Sequence, residues 1–460
     1  MENALQIETI APVSPKNLTP KIIVLDDDPT GSQTVHSCLL LLHWDVETLK
    51  MGLLDPSPLV FILTNTRALS PGDAETITRQ VCGNLKAAIV ATGLQNFLVV
   101  SRSDSTLRGH YPIETDVIAE ELGGFDAHFL VPAFFEGGRI TRDSVHYLMV
   151  NQIPTPVHET EFAQDSVFGY RHSYLPDYVA EKTKGRIAAT AVERFLLADL
   201  RSSESSLSNR LQTLTNNTCG VVDGETQADL NQFATATLAA TREGKRFLFR
   251  SAASLLTALA QLPPQPIAPE DMTQYRRSPH PGVVIVGSHV RKTSEQLTWL
   301  LQEPGVEGVE VGVKHLKEEG EAGFAPLLQT TLDRVQTLYH QGKTPIVFTS
   351  RAELQFDNVE TRLAFGAEVS RLLMAIVQQL PSEVSFLISK GGITSNDTLS
   401  VGLALKSARL LGQILPGVSV VRTDADHPRF PHLPVVLFPG NVGDAHALAL
   451  AYQRFQQRSY

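Results

Sequence analysis

The sequence predicts an α/β protein of two domains, each built on a mainly parallel sheet. Short apolar runs without strict alternation recur along the chain and are separated by longer helical stretches, which is typical of parallel strands buried on both faces. At 460 residues the chain is too long for one compact core. A proline-rich segment at residues 262–282 lies between two regions that both show this alternation, so we expect it to be a linker.

Taken in order, residues 1–19 are expected to form a disordered leader, and residues 20–261 the first domain. Strands of this domain are predicted at KIIVL, LVFIL, FLVV, HFLVP, CGVV and RFLFR. Residues 283–460 form the second domain, with strands at GVVIVGS, VEVGV, IVFTS, SFLIS, VSVVR and VVLFPG. A helix whose apolar face includes Leu399, Leu403 and Leu410 is predicted after SFLIS.

Composition excludes several classes of protein. The 39 basic and 49 acidic residues give a net charge of -10 without any basic block, which argues against nucleic acid or an anionic membrane as partner. The longest apolar runs fall far short of the ~20 residues that span a bilayer. No export signal is apparent, so a cytoplasmic location is expected. Cys38, Cys82 and Cys219 are widely spaced, which suggests neither a disulfide framework nor a zinc site.

The first predicted strand runs into three consecutive carboxylates, Asp26, Asp27 and Asp28, followed by Thr30. Adjacent acids repel one another, and such repulsion tends to be kept where a metal or a reacting group needs it. The alternative is that Asp28 or Thr30 caps the next segment while Asp26 and Asp27 lie in water.

Two more strand ends in this domain carry polar groups. Arg67 follows the strand LVFIL, and Asp104 and Arg108 follow FLVVSRS. Ligands of open parallel sheets bind at the carboxyl ends of the strands. Arginine forks suit a small carboxylate, whereas aspartates suit sugar hydroxyls or a metal ion. A polyhydroxy acid would use both, although for Arg67 alone a surface ion pair is the simpler interpretation.

In the second domain, glycine-rich loops follow three strands. Gly391 and Gly392 would let a ligand approach the backbone closely, and the first N–H groups of the next helix attract anions, so phosphate is the natural candidate. Small residues also follow two other strands, at Ser288 and at Gly440. The alternative is a tight turn capped by Ser395 or Asn396. Neither a GxxxxGK[ST] loop nor a GxGxxG after the first strand of either domain is present.

These motifs occur in the order LDDDPTGS, SDSTLRG, VPAFFEGGRIT, VVDGET, GSHVRKTSEQ, SKGGITS, GQILPG and FPGNVGD. In this order the sequence resembles the four-carbon acid sugar kinases, which phosphorylate tetronates such as erythronate, threonate or 3-oxo-tetronate with ATP. The resemblance implies an N-terminal acid-sugar-binding domain and a C-terminal nucleotide-binding domain. Two departures are Pro29, where an aromatic residue is often found, and the absence of Lys-Ser before Gly440. A sub-group acting on a different small acid therefore stays open.

The resemblance and the strand-end residues together imply a site. Asp28 is expected to take the proton of the terminal hydroxyl, with Asp27 beside it, while Arg67 and Arg108 hold the carboxylate. ATP and Mg²⁺ are the expected cofactors, with few direct protein ligands to the metal, and domain closure would exclude water. The predicted substrate-binding residues are Asp27, Asp28, Thr30, Arg67, Asp104 and Arg108. The predicted nucleotide-binding residues are Ser288, Gly391, Gly392, Ile393, Thr394, Gly440, Asn441 and Gly443.

Two other functions fit parts of the sequence. A phosphohydrolase of the haloacid dehalogenase type would use Asp26 as nucleophile and Asp28 as acid, but it gives no use for the glycine-rich loops of the second domain. A non-catalytic sugar-acid sensor would bind ligand without turning over ATP. The oligomeric state stays open, with a homodimer as one alternative, and neither nucleic acid nor membrane is expected as a partner.

Overall fold

The computed structural model of the protein describes residues 20–202, 204–351, 354–356 and 358–456. The leader predicted at residues 1–19 lies outside the described residues. None of the helices in the described part of the chain is both long and apolar enough to cross a membrane.

The first half of the chain alternates strands and helices from Lys21 to Ala260. Its strands are β1 (Lys21–Asp26), β2 (Leu39–Leu41), β3 (Leu59–Leu63), β4 (Phe97–Arg102), β5 (Ala127–Val131), β6 (Arg139–Arg142), β7 (Val145–Val150), β8 (Ile153–Pro156), β9 (Glu193–Phe195), β10 (Thr218–Val222) and β11 (Phe247–Ser251). Its helices are α1 (Val46–Leu54), α2 (Pro71–Thr92), α3 (Ile113–Leu122), α4 (Leu175–Lys182), α5 (Leu197–Leu200), α6 (Glu204–Thr213), α7 (Gln227–Arg242) and α8 (Ala253–Ala260).

The second half repeats the alternation. Its strands are β12 (Val283–Val286), β13 (Val306–Val311), β14 (Thr344–Thr349), β15 (Leu387–Lys390), β16 (Ser407–Leu415), β17 (Val418–Arg422) and β18 (Pro434–Phe438). Its helices are α9 (Arg291–Leu300), α10 (Val313–Glu319), α11 (Glu321–His340), α12 (Val359–Gln378), α13 (Gly392–Asp397) and α14 (Ala447–Gln456).

Fifteen of the described strands form one sheet in the order β13-β14-β12-β15-β18-β17-β16-β2-β3-β1-β4-β11-β5-β10-β9. The predicted α/β class with mainly parallel pairing is confirmed: β1, for example, pairs in parallel with both β3 and β4. The two halves of the chain meet where β16 pairs antiparallel with β2. Strands β6, β7 and β8 form a separate antiparallel sheet.

The central strands are buried on both faces, which explains why their sequences do not alternate. All six residues of β1 are buried. Ile22 and Val24 pack in one apolar cluster, whereas Ile23 and Leu25 pack in another, so the helices cover both sides of the sheet. Burial of this kind supplies most of the stabilisation of such a fold.

The helix predicted through Leu399, Leu403 and Leu410 is wrong in its second part. Helix α13 ends at Asp397 and passes into a single π-helical turn at Thr398–Gly402. Leu410 lies in β16, a strand that hydrogen-bonds to β17 on one side and to β2 on the other. Its apolar residues face both sides of the sheet, and a short apolar run of this kind cannot be told from a buried helix by its pattern alone.

The segment at residues 262–282 contains a short 3-10 helix, Pro269–Tyr275. Met272 of this helix is fully buried among apolar side chains of the second half. The domain boundaries themselves stay a prediction.

Candidate active site

Strand β1 lies between β3 and β4 and is parallel to both, so the polar residues that follow these three strands lie next to one another. Arg67, after β3, donates from Nη1 to Asp28 Oδ2 (3.2 Å) and also hydrogen-bonds to Asp27 through two of its nitrogens. Asp26 and Asp27 do not lie in water, because they are 0% and 1% exposed. The three strand ends therefore form a single cluster.

Asp28 is the acid of this run that solvent reaches, with 23% of its side chain exposed. Its Oδ1 accepts a hydrogen bond from the backbone N–H of Thr30 (2.8 Å) and a short one from the Thr30 hydroxyl. Burial works to raise the pKa of Asp28, but Arg67, Arg102 and the Thr30 bonds outweigh it and lower the pKa below its ordinary value. Asp28 is thus an ionised, accessible carboxylate at neutral pH.

Asp27 belongs to a buried hydrogen-bonded network. Ser103 donates to Asp27 Oδ2 (2.6 Å), and Arg250 donates from Nη2 to the Ser103 hydroxyl (2.7 Å). Arg250 also donates from Nη1 to Glu114 Oε2 (2.5 Å). Burial raises the pKa of Asp27 although Arg67 opposes it. Asp27 is therefore held both by Ser103, which Arg250 supports, and by Arg67.

Asp26 is fully buried and weakly hydrogen-bonded. Arg102 donates to its Oδ1 over 3.4 Å, and its buried Oδ2 has no hydrogen-bond partner among the described residues. Burial raises the pKa of Asp26 to about 7, despite the opposing charge of Arg102. A Cβ atom on Gly31 would lie 2.0 Å from Asp26 Oδ2, so a larger residue at position 31 would collide with this carboxylate.

Asp104 and Arg108 form the second ion pair of the cluster. Arg108 Nε donates to Asp104 Oδ2 (2.9 Å), which also accepts from the backbone N–H of Thr106 (3.2 Å). Burial works to raise the pKa of Asp104, but Arg67 and Arg108 outweigh it and hold the pKa well below its usual range. Gly109 has φ +119, and a Cβ there would lie 2.4 Å from Ser103 Oγ, so this turn requires glycine.

Sequence reasoning missed several residues of this cluster. The strings FLVVSRS and RFLFR contain Arg102, Ser103 and Arg250, but only the order of the strands shows that β11 lies beside β4. Glu114, near the start of α3, is buried and receives hydrogen bonds from Arg250 and from Thr66 (2.6 Å). A buried acid in a helix offers no signal in the sequence pattern.

The glycine-rich loops of the second half also converge, because β15 lies between β12 and β18. Gly391 has φ +123, and a Cβ there would lie 3.1 Å from Ser288 Cβ. A Cβ on Gly440 would lie 3.2 Å from Ser288 Oγ. Thr394 is also close, since its Oγ1 would be 3.1 Å from the same Gly391 Cβ. Four of the predicted nucleotide-binding residues therefore meet.

The other four predicted residues, Gly392, Ile393, Asn441 and Gly443, are not part of this group of contacts. Within residues 20–202, 204–351, 354–356 and 358–456, no heavy atom lies within 4 Å of the position that a Cβ on Gly392 would take. Ile393 is 72% exposed. Asn441 and Gly443 are exposed in the loop after β18. Gly443, with φ +80, lies against Ala447 at the start of α14 instead of against the Gly391 loop.

Two cations adjoin these loops and were not predicted. Lys390, fully buried, donates from Nζ to the carbonyl oxygens of Pro439 (2.5 Å) and Gly440 (3.3 Å). Arg351 donates from Nη1 to the carbonyl oxygen of Ser288 (2.6 Å). Within the described ranges neither side chain forms an ion pair with a carboxylate, so this edge of the sheet suits an anion.

Burial, with a smaller contribution from Lys292, lowers the pKa of Lys390 to about 7. No group of three or more His, Cys, Asp or Glu side chains in the described part of the chain could hold a metal ion. The acids of the first cluster are instead engaged by arginines.

Residues 22–259 match the family model of a sugar-binding N-terminal domain, and residues 283–448 match that of a nucleotide-binding C-terminal domain. The first match alone covers more than half of the chain. The chain therefore belongs to the four-carbon acid sugar kinase family, as the sequence motifs predicted.

Two curated relatives are similar to parts of this chain. The D-erythronate kinase of Heliobacterium modesticaldum is 28% identical over 221 residues, which is 46% of this chain and 47% of that protein. The D-threonate kinase of Bordetella bronchiseptica is 32% identical over 166 residues, 34% of this chain and 38% of that protein. The aligned regions thus span less than half the length of either relative.

A solved structure shares the fold. The crystal structure of a protein from Salmonella typhimurium LT2 is 18% identical and superposes with a TM-score of 0.67, covering 95% of this chain and 98% of that chain. At this identity the likeness concerns the fold alone.

Proposed function

We propose that the protein is an ATP-dependent kinase that phosphorylates the terminal hydroxyl of a four-carbon sugar acid of the erythronate, threonate or 3-oxo-tetronate type. One observation carries this proposal: at strand ends of one sheet, the first half of the chain holds a cluster of acids and arginines, and the second half holds a cluster of glycines, Ser288 and two basic side chains. Sugar-acid hydroxyls suit the first cluster, and a nucleotide's phosphates suit the second.

In this proposal Asp28 accepts the proton of the attacking hydroxyl, because it is the ionised acid of its run that a ligand can reach. Asp27 and Asp104 orient the other hydroxyls, with Thr30 beside them. Catalysis of phosphoryl transfer depends on positioning and charge neutralisation more than on covalent chemistry. A carboxylate of low basicity such as Asp28 is therefore sufficient as the proton acceptor.

The nucleotide is proposed to lie along Ser288, Gly391 to Thr394, and the Gly440, Asn441 and Gly443 loop. The open space over Gly392 would admit a phosphate to the backbone. Mg²⁺ would enter with the phosphates and neutralise part of their charge.

The phosphohydrolase alternative is not favoured. It needs Asp26 as a nucleophile open to substrate, yet Asp26 is fully buried beneath Gly31. The sensor alternative differs from the kinase only in turnover, so an assay separates them.

A panel of four-carbon sugar acids with ATP and Mg²⁺, read by ADP release, tests the proposal. The matched control is erythritol, in which a hydroxyl group on C1 replaces the carboxylate of erythronate. We expect ADP release with at least one tetronate and far less with erythritol. ADP release with none of the acids, while they still bind by calorimetry, would favour the sensor.

A further inference from the structure

The arginines at the strand ends of the first half differ in their partners. Four of them form ion pairs with carboxylates: Arg67 with Asp27 and Asp28, Arg102 with Asp26, Arg108 with Asp104, and Arg250 with Glu114. Their charges are therefore already balanced within the protein. A substrate carboxylate that displaced Arg67 would leave the buried Asp27 uncompensated, which is unfavourable.

Arg139 has no such partner. Among the residues that the structure describes, no carboxylate lies within ion-pair distance of its guanidinium, and its hydrogen bond goes from Nη1 to the carbonyl oxygen of Gly137, two residues earlier. Its Nε is buried and makes no hydrogen bond to any residue in the described part of the chain. The guanidinium thus hydrogen-bonds only within its own loop, and its Nε–H has no acceptor among the described residues. A carboxylate, which is planar and can accept two hydrogen bonds, would provide one.

Arg139 also lies in the right place. It opens β6 after the loop at the carboxyl end of β5, and β5 is separated from β4 by β11 alone. The charges of Asp104 and Arg108 act on it directly, although burial is the larger influence and lowers its pKa. The guanidinium therefore shares the electrostatic environment of the acid cluster.

A buried histidine fixes the small sheet that carries Arg139. His146, on β7, donates from Nε2 to the carbonyl oxygen of Ser105 (2.8 Å) and accepts at Nδ1 from the Thr141 hydroxyl of β6 (2.9 Å). Ser105 belongs to the Asp104 loop. Because burial lowers the pKa of His146 to about 4, the ring is neutral and this arrangement persists at physiological pH. The strand that carries Arg139 is thus connected through His146 to the Asp104 loop of the acid cluster.

We propose that Arg139 is the residue that binds the substrate's carboxylate, whereas Arg67 and Arg108 remain the partners of Asp27, Asp28 and Asp104. This inference rests on the proposed function. It assigns the two ends of the sugar acid to different residues: the carboxylate to Arg139 and the terminal hydroxyl to Asp28. It also names the determinant by which the site distinguishes an acid from the corresponding neutral polyol.

A double-mutant cycle across protein and ligand tests the proposal. The variants are Arg139→Gln and Arg139→Lys, and the matched control is Arg142→Gln, on the same strand but half exposed and paired with Glu225. Binding of erythronate, threonate and erythritol is measured by calorimetry, and kcat/KM by ADP release. ATP binding and the melting temperature are measured for every variant.

Arg139→Gln should weaken binding of the tetronate and lower its kcat/KM by about 10²-fold, the effect of losing a charge-assisted bidentate contact. It should leave erythritol, ATP and the melting temperature nearly unchanged. Arg139→Lys should recover part of the loss, and Arg142→Gln should behave as wild type.

Equal losses with tetronate and erythritol, or no loss with the tetronate, would overturn the role of Arg139. The proposed function can be refuted independently of the role of Arg139. If the wild-type protein binds tetronates but transfers no phosphate, the kinase proposal is wrong, whereas calorimetry with the Arg139 variants still tests carboxylate binding. A wild-type protein that binds no tetronate would refute both.

Discussion

The three adjacent aspartates at the end of β1 have the same carboxyl group but lie in three different environments. Asp26 is buried with a raised pKa, Asp27 is buried within a network, and Asp28 is accessible with a lowered pKa. Environments that push the pKa values of neighbouring carboxyls apart are a common way to divide their tasks. We assign Asp28 to the reacting hydroxyl, Asp27 to positioning and Asp26 to the interior.

The role of Asp28 predicts the outcome of a nearly isosteric change. Asp28→Asn cannot take a proton, so kcat should fall by about 10²–10⁴-fold. The affinity for ATP should hardly change, because the nucleotide site lies in the other half of the sheet. Steady-state kinetics, calorimetry with ATP and thermal melting provide the check. Near-normal kcat with a sharply lowered melting temperature would mean that this carboxylate is structural.

Asp26 predicts a dependence of stability on pH. Its ordinary pKa of 3.8 rises to about 7 in the folded protein, so between these values the folded chain binds a proton that the unfolded chain has released. The free energy of unfolding of the wild-type protein therefore falls as the pH rises from about 4 to about 7, because Asp26 must then ionise in the interior. At pH 8 the free energy of unfolding of Asp26→Asn, measured by urea denaturation, should exceed that of the wild type by on the order of 2–4 kcal/mol, at ~1.4 kcal/mol per pKa unit. At pH 5 the difference in free energy should be smaller.

Asp27→Asn serves as the contrasting variant, since it disturbs the bonds to Arg67 and Ser103 and should reduce both activity and stability. A loss of stability in Asp26→Asn that is equal at pH 5 and pH 8 would contradict the account. Release of phosphate from sugar phosphates without ATP, lost in Asp26→Asn, would instead favour the phosphohydrolase alternative.

At this scale the sequence predicted which residues stand at strand ends but not how they pair. The proximity of Asp27, Asp28 and Arg67 followed from the convergence of parallel strand ends. Arg67 and Arg108 already have acidic partners, whereas Arg139 has none among the described residues. This difference depends on side-chain directions and on burial, which no local pattern encodes.

Among the elements, the long buried strands were predictable and the short ones were not. All twelve predicted strands are present, because continuous apolar runs bounded by turns reflect burial on both faces. Strands β2 and β9 have three residues each, too few to show a period. The β6–β7–β8 sheet has mixed burial, and β16 has an apolar pattern that also fits a helix.

The Gly391–Gly392 loop predicts opposite outcomes for two neighbouring residues. The Cβ of Gly392→Val has no atom of a described residue within 4 Å, so folding should survive while the side chain occupies the space proposed for phosphate. ATP binding by calorimetry should weaken at least 10-fold, whereas sugar-acid binding is retained. Gly391→Ala, at φ +123 and against Ser288, should lower the melting temperature instead. Unchanged ATP affinity in Gly392→Val would place the nucleotide elsewhere.

On the scale of the whole molecule, one sheet connects the two clusters. At the junction of β2 and β16, Arg409 donates to both oxygens of Asp55 (3.0 and 2.6 Å), and Gln413 donates to Glu136 of the loop before Arg139. Contacts from the second half thus reach the loop that carries the proposed carboxylate-binding residue. Neither this junction nor the strand order across it could be predicted from the sequence, because residues that are hundreds of positions apart form it.

The central claim is that the protein transfers the γ-phosphate of ATP to the terminal hydroxyl of a four-carbon sugar acid. The most direct test is a ³¹P NMR time course of the wild-type protein with ATP, Mg²⁺ and erythronate or threonate. We predict loss of the γ-phosphate signal and growth of a phosphomonoester signal split into a triplet by the two C4 methylene protons, with no growth in Asp28→Asn. A doublet would place the phosphate on C2 or C3, and inorganic phosphate alone would show hydrolysis; either result would contradict the claim.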